Sequence, residues 1–397
     1  MLAWTATTVI DRSASLGGLL LVAVLAGVFL PPFLDGWRPE PPRRFDLLAG
    51  AARGEPDGAA PVYSERFIDP QPSWPSLATP ALGELANGDL LAVWKVGESD
   101  EQGRNVALHR ATYDHRAGAW RPVHPLTSSR RTQRELGRLV GTLANPVLLT
   151  RRDGAVSLFY VTAWAKWSTS AIALKTSRDH GETWSPARRI VTNPVGNLAT
   201  LVKTAPIHYS DGSIGLPAYH ELFGVFPQLL RLSPEGELLD KVRIHRGQVS
   251  LQPSVVALDD RRALALMRNA YKGRILTAGT SDAGRHWGPL QAIDLPNPNA
   301  PAIGLRVRDG AILLAFNNSA VSRDHLSLAL SRDGGQRWSV FHAFEEGVRT
   351  WNGALVNFSY PYLLQASDGM IHVVYVWRGA LVKHVSFNEA WIRERAR

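Results

Sequence analysis

Residues 177–184 read Ser-Arg-Asp-His-Gly-Glu-Thr-Trp, residues 280–287 read Thr-Ser-Asp-Ala-Gly-Arg-His-Trp, and residues 331–338 read Ser-Arg-Asp-Gly-Gly-Gln-Arg-Trp. All three stretches fit the pattern Ser/Thr-x-Asp-x-Gly-x-x-Trp. In such a pattern the Asp carboxylate caps a turn, the Gly takes the left-handed backbone region, and the Trp packs its indole under the hairpin. The pattern therefore predicts three self-contained folded turns with a structural role.

A second repeat is offset from these turns. A short turn followed by a run of β-branched, aliphatic or aromatic residues occurs six times, and the turns start at Asn87, Asp153, Asp211, Asp259, Asp309 and Asp368. Asn-Gly and Asp-Gly supply the positive φ angles of tight hairpins, and the runs that follow suit buried strands. Six hairpins at this spacing predict an all-β fold, a six-bladed β-propeller over residues 61–390.

An apolar segment precedes the repeats. Residues 13–34 contain no charged side chain and are about long enough to span a bilayer. Pro31, Pro32 and Phe33 stand where a cleavable signal peptide would have small residues, which favours an uncleaved anchor. We therefore expect residues 1–34 to form an N-terminal transmembrane or signal-anchor helix. Residues 35–60 are expected to be a Pro/Gly-rich linker, and the propeller is expected on the periplasmic or extracellular side of the membrane.

Composition excludes several classes of function. The chain has 44 Lys and Arg against 35 Asp and Glu, but no run of like charges that would form a nucleic-acid-binding arm. It has no cysteine, which excludes disulfides, thiolate metal sites and cysteine nucleophiles. We find no metal-ligand spacing and no nucleotide-binding glycine loop, so no metal and no cofactor are predicted.

The three Trp-bearing stretches resemble the Asp-boxes, or BNR repeats, of the sialidase (neuraminidase) superfamily. The segments starting at Leu251, Leu295 and Phe358 resemble the bacterial predicted-neuraminidase branch, in which such segments follow the same order. The resemblance covers residues 61–390. It implies an exo-acting glycoside hydrolase that removes a terminal acidic sugar from a glycan or polysaccharide. The site is then expected at the propeller axis, on the face opposite the Asp-boxes.

Sialidases hold the substrate carboxylate with three arginines, because a guanidinium forms charge-assisted hydrogen bonds to a carboxylate in a fixed orientation. The resemblance implies that Arg268 is the second of these arginines and Arg323 the third. Ala78 stands near the position of the first. Three basic residues are candidates to replace the missing first arginine: Arg138, Arg378 and Lys203.

The resemblance implies a tyrosine nucleophile, and Tyr360 occupies that position. Gln252 stands where the family has the glutamate that accepts the proton of this tyrosine. A phenol has a pKa near 10, so Tyr360 needs another base to be a good nucleophile at neutral pH. Glu221 is the candidate substitute.

The resemblance also implies a general acid in a loop after the first inner strand. Glu98, Asp100 and Glu101 lie there, and Asp100 matches the family position best. A buried carboxylic acid keeps its proton at neutral pH and can protonate the leaving oxygen. A solvated acidic loop is the alternative interpretation of the same residues.

Tyr219, His220 and Glu221 form a polar cluster after a Gly-Leu-Pro strand end, and His220 is a candidate substrate-binding residue together with Arg378. If Tyr219 or His220 were the base and the arginines neutralised a uronate, the reaction would be that of a polysaccharide lyase. A non-catalytic glycan-binding propeller is the third possibility, because fold does not dictate chemistry.

Overall fold

The computed structural model describes residues 22–23, 43–47, 59–71, 76–98, 105–193, 196–222, 224–347 and 356–396. The chain divides into two compact units, residues 1–42 and residues 43–397. Apart from residues 22–23, the predicted apolar anchor lies outside the described residues and stays a prediction. Within the described ranges, no helix combines the length and the hydropathy that crossing a membrane requires.

The second unit is a six-bladed β-propeller, as predicted, and each blade is one antiparallel sheet. Blade one consists of β2 (Ser76–Glu84), β3 (Leu90–Glu98), β4 (Asn105–Asp114), β5 (Ala119–Trp120) and β6 (His124–Ser128). Blade two consists of β7 (Thr142–Thr150), β8 (Val156–Ala163), β9 (Ala171–Ser177) and β10 (Arg188–Arg189). Blade three consists of β11 (Thr200–Val202), β12 (Ile207–His208), β13 (Ile214–Glu221), β14 (Val225–Leu232) and β15 (Leu238–Arg243).

Blade four consists of β16 (Ser250–Ala257), β17 (Ala263–Asn269), β18 (Gly273–Thr280) and β19 (Gln291–Asn297). Blade five consists of β20 (Ile303–Arg306), β21 (Ile312–Phe316), β22 (Leu326–Ser331) and β23 (Ser339–Glu345). Blade six consists of β24 (Phe358–Gln365), β25 (Ile371–Trp377), β26 (Leu381–Phe387) and β1 (Tyr63–Phe67). Two short α-helices accompany the blades, α1 (Ser129–Leu136) and α2 (Glu389–Arg395), with a 3₁₀ turn at Trp167–Thr169.

The first strand of the propeller completes its last blade. β1 pairs antiparallel with β26, and the register joins Tyr63 to Phe387 and Phe67 to Lys383. β2 packs against both β7 and β24, which closes the ring of inner strands. The two ends of the propeller chain are therefore held together in one sheet.

The six predicted hairpins join the inner strand of each blade to the second strand. In every blade five residues separate these two strands. Five of the six turns contain a glycine with φ between 81° and 91°, at Gly88, Gly154, Gly212, Gly310 and Gly369. The turn of blade four has no glycine. There the Asp259 carboxylate accepts hydrogen bonds from the backbone N–H groups of Arg261 and Arg262.

The three Trp-bearing turns each follow the third strand of a blade, in blades two, four and five. In blade five Ser331 Oγ donates to Asp333 (2.9 Å), and the Gly335 N–H donates back to Ser331 Oγ (2.8 Å). Asp333 also accepts from the Arg337 N–H, and the Trp338 indole donates to Gly335 O (3.0 Å). These hydrogen bonds all join residues within 331–338, which confirms the prediction of a self-contained turn.

Residues 43–47 fall in the predicted linker, yet they contact the propeller. Phe45 is buried and stacks on Tyr209 of blade three, with ring centroids 5.2 Å apart. Arg43 forms an ion pair with Asp240 (2.8 Å). A buried aromatic ring therefore anchors these residues to the blade, and the predicted linker over residues 35–60 stays a prediction.

Candidate active site

One residue near the start of each inner strand has a positive φ angle. Since all blades share one connectivity, these residues lie at one face of the propeller, which we call the upper face; the Trp-bearing turns lie at the lower face. The six residues are Thr79, Asn145, Ala199, Gln252, Asn299 and Tyr360, with φ between 47° and 64°. Non-glycine residues in this region are strained by about 1–3 kcal/mol each, and such residues cluster at functional sites.

Four of these residues precede a proline and coincide with a register shift in the strand ladder, at Thr79, Asn145, Gln252 and Tyr360. An extra residue in one strand is a β-bulge, which re-aims side chains. The bulged residues accordingly make contacts across blades: the Asn145 N–H donates to Thr79 Oγ1 (3.3 Å). The bulges thus direct the inner strands of separate blades toward one central site.

Arg268 and Arg323 converge on Asn299. Arg268 Nε donates to Asn299 Oδ1 (2.5 Å), and Arg323 Nη2 donates to Asn299 O (2.7 Å). Arg268 Nη1 also donates to Gln252 Oε1 (3.1 Å). Burial, followed by the positive charge of Arg323, lowers the pKa of Arg268. The two arginines that the sequence singled out are therefore neighbours in a half-buried position at the upper face.

Gln252 connects Arg268 to the buried hydroxyl of Tyr219. Because a guanidinium only donates, Gln252 Oε1 must face Arg268, so Gln252 Nε2 donates to Tyr219 Oη (3.3 Å). Asn145 Nδ2 donates to the same oxygen (3.1 Å). Burial is the main reason that the pKa of Tyr219 lies above its usual value of 10. Tyr219 is therefore a neutral phenol that fixes Gln252 and Asn145.

Tyr360 lies between two cationic side chains. The guanidinium carbon of Arg323 is 5.3 Å from the centroid of the Tyr360 ring, and Lys203 Nζ is 5.9 Å from it. The backbone of Arg323 is fixed because its carbonyl accepts from the Phe358 N–H (2.8 Å) and from Asn317 Nδ2 (3.3 Å). Blades three, five and six therefore meet at the Tyr360 ring.

Lys203 is the most unusual group of the site. Its side chain is fully buried, and Nζ donates to Pro80 O of blade one (3.4 Å). No carboxylate of the described residues forms an ion pair with it. Burial lowers the pKa of Lys203 to about 7. The axis therefore holds a lysine that changes charge near neutral pH.

Glu221 ends β13 on the side of Tyr219 and Arg268. Burial raises its pKa, and the positive charge of Arg268 opposes that rise. The structure thus brings Glu221 to Arg268, as a carboxyl group whose pKa is raised by burial.

His220 and Arg378 are not brought to the arginines. His220 stacks on Phe226, with ring centroids 4.7 Å apart, and burial, then Arg243 and Lys241, lowers its pKa. Successive strand residues point to opposite faces of the sheet, so His220 faces away from Tyr219. Arg378 is exposed in the turn between β25 and β26, where its guanidinium carbon lies 4.2 Å from the centroid of the Trp377 ring. The contacts described for His220 and Arg378 are therefore local, and their predicted substrate contacts stay predictions.

A lysine of the neighbouring strand lies beside the position of the missing first arginine. Ala78 pairs directly with Lys95 of β3, and Lys95 is half-buried with a pKa lowered by burial. Arg138 lines a separate cavity on blade two. Asp100 and Glu101 fall within residues 99–104, outside the described residues, so the assignment of the general acid stays a prediction.

Sequence reasoning missed Asn145, Asn299 and Lys95, and it named Lys203 only as one of three candidates to replace the first arginine. One signal could have found part of this set: the dipeptides Thr79-Pro80, Asn145-Pro146, Gln252-Pro253 and Tyr360-Pro361 recur near the starts of inner strands. Lys95 interrupts an otherwise apolar strand sequence, which is a second signal. Within the described ranges, no cluster of three or more His, Asp or Glu side chains could hold a metal ion.

The sequence profile of the BNR repeat-like domain matches residues 88–373, more than half of the chain. The chain belongs to the BNR repeat-like family. A sialidase from Micromonospora viridifaciens is 25% identical over an alignment of 385 residues, which covers 87% of this chain and 56% of that relative. The chain thus spans little more than half of the length of this curated relative. Together with the fold, the similarity places this BNR repeat-like protein in the sialidase superfamily.

Solved structures with the same fold include sialidases and another glycosidase. Hadza microbial sialidase Hz136 superposes with a TM-score of 0.64 at 16% identity, over 79% of this chain and 66% of that chain. The intramolecular trans-sialidase from Ruminococcus gnavus gives a TM-score of 0.63 at 14% identity, over 82% and 97%. The α-L-arabinanase from Penicillium chrysogenum gives 0.60 at 14% identity, over 83% and 98%. The fold is therefore that of sialidase-like glycoside hydrolases, and it carries more than one sugar chemistry.

Proposed function

We propose that this BNR repeat-like protein is an exo-acting glycoside hydrolase that removes a terminal acidic sugar from a glycan or polysaccharide. One observation carries the proposal: Arg268 and Arg323 meet at Asn299 beside the Tyr360 ring. Within the described part of the chain, the hydrogen-bond partners of both guanidinium groups are neutral.

Two adjacent guanidinium groups create a strong preference for an anion. Arginine stays charged at all working pH values, so proton loss cannot relieve the repulsion between Arg268 and Arg323. A carboxylate placed between them gains charge-assisted hydrogen bonds and neutralises both. This supports a carboxylated sugar over a neutral sugar at the axis.

Tyr360 is positioned for nucleophilic chemistry beside that carboxylate. Its hydroxyl would pass its proton to Glu221, the candidate base, as the oxygen attacks the anomeric carbon, and the bond to the leaving oxygen would break as that oxygen takes a proton from an acid, which we assign to Asp100. Water would then displace the tyrosine, giving one proton to the Asp100 carboxylate while the tyrosine takes its proton back from Glu221, and the product would retain its anomeric configuration. Gln252 cannot act as a base, but Arg323 and Lys203 flank the ring and favour the phenolate electrostatically.

The lyase alternative has weaker support. Its base would be Tyr219 or His220. Tyr219 is buried and has a raised pKa, which disfavours the phenolate form. His220 stacks on Phe226 on the opposite face of β13. A hydrolase that uses Tyr360 fits these positions better.

The proposal predicts that Tyr360→Phe lowers kcat by at least about a thousandfold on an aryl α-sialoside, because the reacting oxygen is removed. Tyr362→Phe is the matched control. Tyr362 lies two residues away, and its buried hydroxyl has no hydrogen-bond partner among the described residues. Release of free sugar is measured in both variants, and binding of the sugar is measured by calorimetry.

We expect Tyr362→Phe to keep at least half of the wild-type kcat. Turnover of Tyr360→Phe at a rate similar to that of Tyr362→Phe would remove Tyr360 from the mechanism. Binding of acidic sugars without turnover by the wild type would identify a non-catalytic glycan-binding propeller instead. An ultraviolet-absorbing unsaturated product would identify the lyase.

A further inference from the structure

Blade two carries a second cavity at the upper face. It has a volume of about 450 Å³ and is lined by Arg138, Leu139, Trp164, Thr169, Arg189 and Leu198, among others. Sites for small molecules typically have volumes of about 300–1,000 Å³. The lining residues come from the segment before β7, the β8–β9 connection, β10 and the segment before β11. The cavity therefore has room for a sugar unit and is separate from the Tyr360 site.

Two arginines give this cavity a positive charge. No carboxylate among the described residues pairs with Arg138 or Arg189. Arg189 is half-buried, and its pKa is lowered by burial and then by the charge of Arg138. Two cations close to each other without an acid favour an anionic ligand.

The position of Arg189 is fixed by its surroundings. Arg189 Nη2 donates to Asn197 O (2.8 Å). The Asn197 side chain is buried: Nδ2 donates to Ile190 O (2.9 Å), and Oδ1 accepts from the Thr192 N–H (2.7 Å). A guanidinium held in this way loses little conformational entropy when it binds a ligand.

Aromatic rings stand exposed at the same place. Trp164 is 54% exposed and Trp167 is 41% exposed. The loop that carries them is ordered by hydrogen bonds, because Thr169 Oγ1 accepts from the Trp164 N–H (3.2 Å) and donates to Lys166 O (2.7 Å). A tryptophan held in an exposed position offers a flat apolar surface to the ring of a sugar. The cavity thus combines charge recognition with a stacking surface.

A short segment of chain links the cavity to the axis. Leu198 lines it, β11 begins two residues later, and Lys203 beside Tyr360 follows β11 directly. Ser170 Oγ, at the cavity wall, donates to Thr200 O of β11 (3.4 Å). The cavity and the Tyr360 site therefore lie at the two ends of residues 198–203.

We propose that the blade-two cavity is a second subsite, which binds a further acidic sugar unit of an oligosaccharide whose terminal residue occupies the Tyr360 site. This inference rests on the proposed function for the terminal residue. It adds a preference for substrates with more than one carboxylate.

The test compares two ligands with the same terminal sugar. A linear trimer of sialic acid carries a carboxylate on every unit, whereas sialyllactose carries one only on the terminal unit. Binding of both is measured by calorimetry in the Tyr360→Phe background, so that no ligand is consumed. Arg138→Ala/Arg189→Ala is expected to weaken trimer binding at least tenfold and sialyllactose binding less than twofold. Trp164→Ala is expected to weaken trimer binding about threefold or more.

A charge-matched control separates the subsite from net charge. Arg178→Ala/Arg188→Ala also removes two positive charges from blade two, but Arg178 and Arg188 line a different cavity together with Glu235 and Glu237. We expect this control to change neither affinity by more than twofold. Equal effects of the two double variants on trimer binding would overturn the subsite.

Arg268→Ala tests the proposed function separately. Loss of binding of both ligands in Arg268→Ala, with no effect of Arg138→Ala/Arg189→Ala, would support the axis site and overturn the subsite. Trimer binding that depends on Arg138 and Arg189 but not on Arg268 would support the subsite and overturn the proposed axis site. No binding of the trimer to the Tyr360→Phe protein would overturn both.

Discussion

Burial of Lys203 destabilises the folded state, and its local contacts do not compensate for the lost hydration. A lysine buried without a carboxylate loses its hydration, and Lys203 has one hydrogen bond to a backbone carbonyl among the described residues. Its Nζ lies 5.6 Å from the centroid of the Tyr362 ring and 5.9 Å from that of Tyr360. A charged group that destabilises the fold and lies beside a reactive side chain is more simply explained by function than by structure.

Lys203→Met is therefore predicted to stabilise the protein and to lower its activity. The folded-state pKa is about 7, below the model value of 10.5, so the unfolded chain binds more protons between these values. The stability gain of the variant should be largest at or below pH 7 and should shrink as the pH rises toward 10.5. We expect kcat to fall about fivefold at pH 6, because one of two cations beside the Tyr360 ring is lost.

Urea unfolding at pH 6 and pH 9.5, together with kcat at pH 6, would check both effects. A variant that is less stable than the wild type at pH 6 would show that Lys203 serves the fold. Unchanged kcat would remove Lys203 from the site.

The sequence and the family resemblance together predicted Arg268, Arg323 and Tyr360 as neighbours, and the structure brings them together. These residues could be found because each stands at a fixed offset from a turn that the sequence marks. Asn145 and Asn299 were missed because their contacts run to other side chains distant in sequence: Asn145 lies at a bulge and donates to Tyr219, and Asn299 accepts from Arg268. His220 lies on the face of β13 opposite Tyr219 because side chains alternate along a strand, and the sequence did not give the strand's orientation.

The Trp-bearing turns connect neighbouring blades as well as closing on themselves. A Cβ atom on Gly335 would lie 2.3 Å from Leu264 Cδ2 of blade four, and one on Gly284 would lie 2.8 Å from Leu229 Cδ2 of blade three. A Cβ on Gly181 would likewise lie 3.0 Å from Leu91 Cδ2 of blade one. The glycine of each turn thus serves two purposes: it supplies a positive φ angle and lets a leucine of the preceding blade approach.

Two adjacent glycines in one turn allow the backbone effect and the packing effect to be measured separately. Gly334 and Gly335 both have positive φ angles, 74° and 94°. The nearest neighbour of a Cβ on Gly334 is Leu258 Cδ1 at 3.9 Å, an ordinary contact. Gly334→Ala should cost about 1–2 kcal/mol of unfolding free energy from the backbone alone. Gly335→Ala should cost about 1–3 kcal/mol more, because Leu264 must move.

Chemical denaturation of both variants measures this difference. Equal losses of stability would mean that Leu264 rearranges without cost and that the turn makes no specific inter-blade contact. Leu264→Ala combined with Gly335→Ala should recover the part of the loss that comes from the clash.

Hairpins were easier to predict than the pairing of strands that are distant in sequence. The six hairpins follow from turn chemistry within a few residues, so the number of blades could be read from the sequence. The pairing of β1 with β26 joins residues more than 300 positions apart, and no local signal marks it. Helix α1 was also missed, although Ser128 caps its start and Gly137 its end, because it is only 8 residues long.

The contact between the last and first blades, which we call the seam, depends on two neutral histidines, His372 and His384. The Trp120 indole of blade one donates to His384 Nδ1 (3.1 Å), so neutral His384 carries its proton on Nε2. That proton is directed at His372 Nδ1 (3.0 Å). Protonation of either imidazole ring would make two N–H groups face each other and would place a charge in the buried seam. Burial lowers the pKa of His372 to about 4 and that of His384 well below its usual value.

The propeller is therefore predicted to lose stability as the pH falls from about 6.5 to about 4. In this window the unfolded histidines bind protons and the folded ones do not, which lowers the unfolding free energy by up to about 1.4 kcal/mol per pH unit for each histidine. His372→Asn keeps an acceptor near the Nδ1 position and removes one titrating group, so the slope should decrease by that amount. His124→Asn, at an exposed position, is the control.

Urea unfolding at several pH values between 4 and 8 measures the slope in the wild type and both variants. An unchanged slope in His372→Asn would show that the seam does not set the acid sensitivity. A change of similar size in His124→Asn would point to a general effect of removing a histidine.

The strand at residues 63–67 also determines when the propeller can close. Its partner, residues 381–387, is synthesised more than 300 residues later, so the sheet of blade six and the ring of blades stay open until that partner has been made. Translation that stopped before residue 381 would thus leave unpaired a strand that was made before the other strands of the propeller. The pairing of this strand therefore reports whether synthesis has passed the last blade.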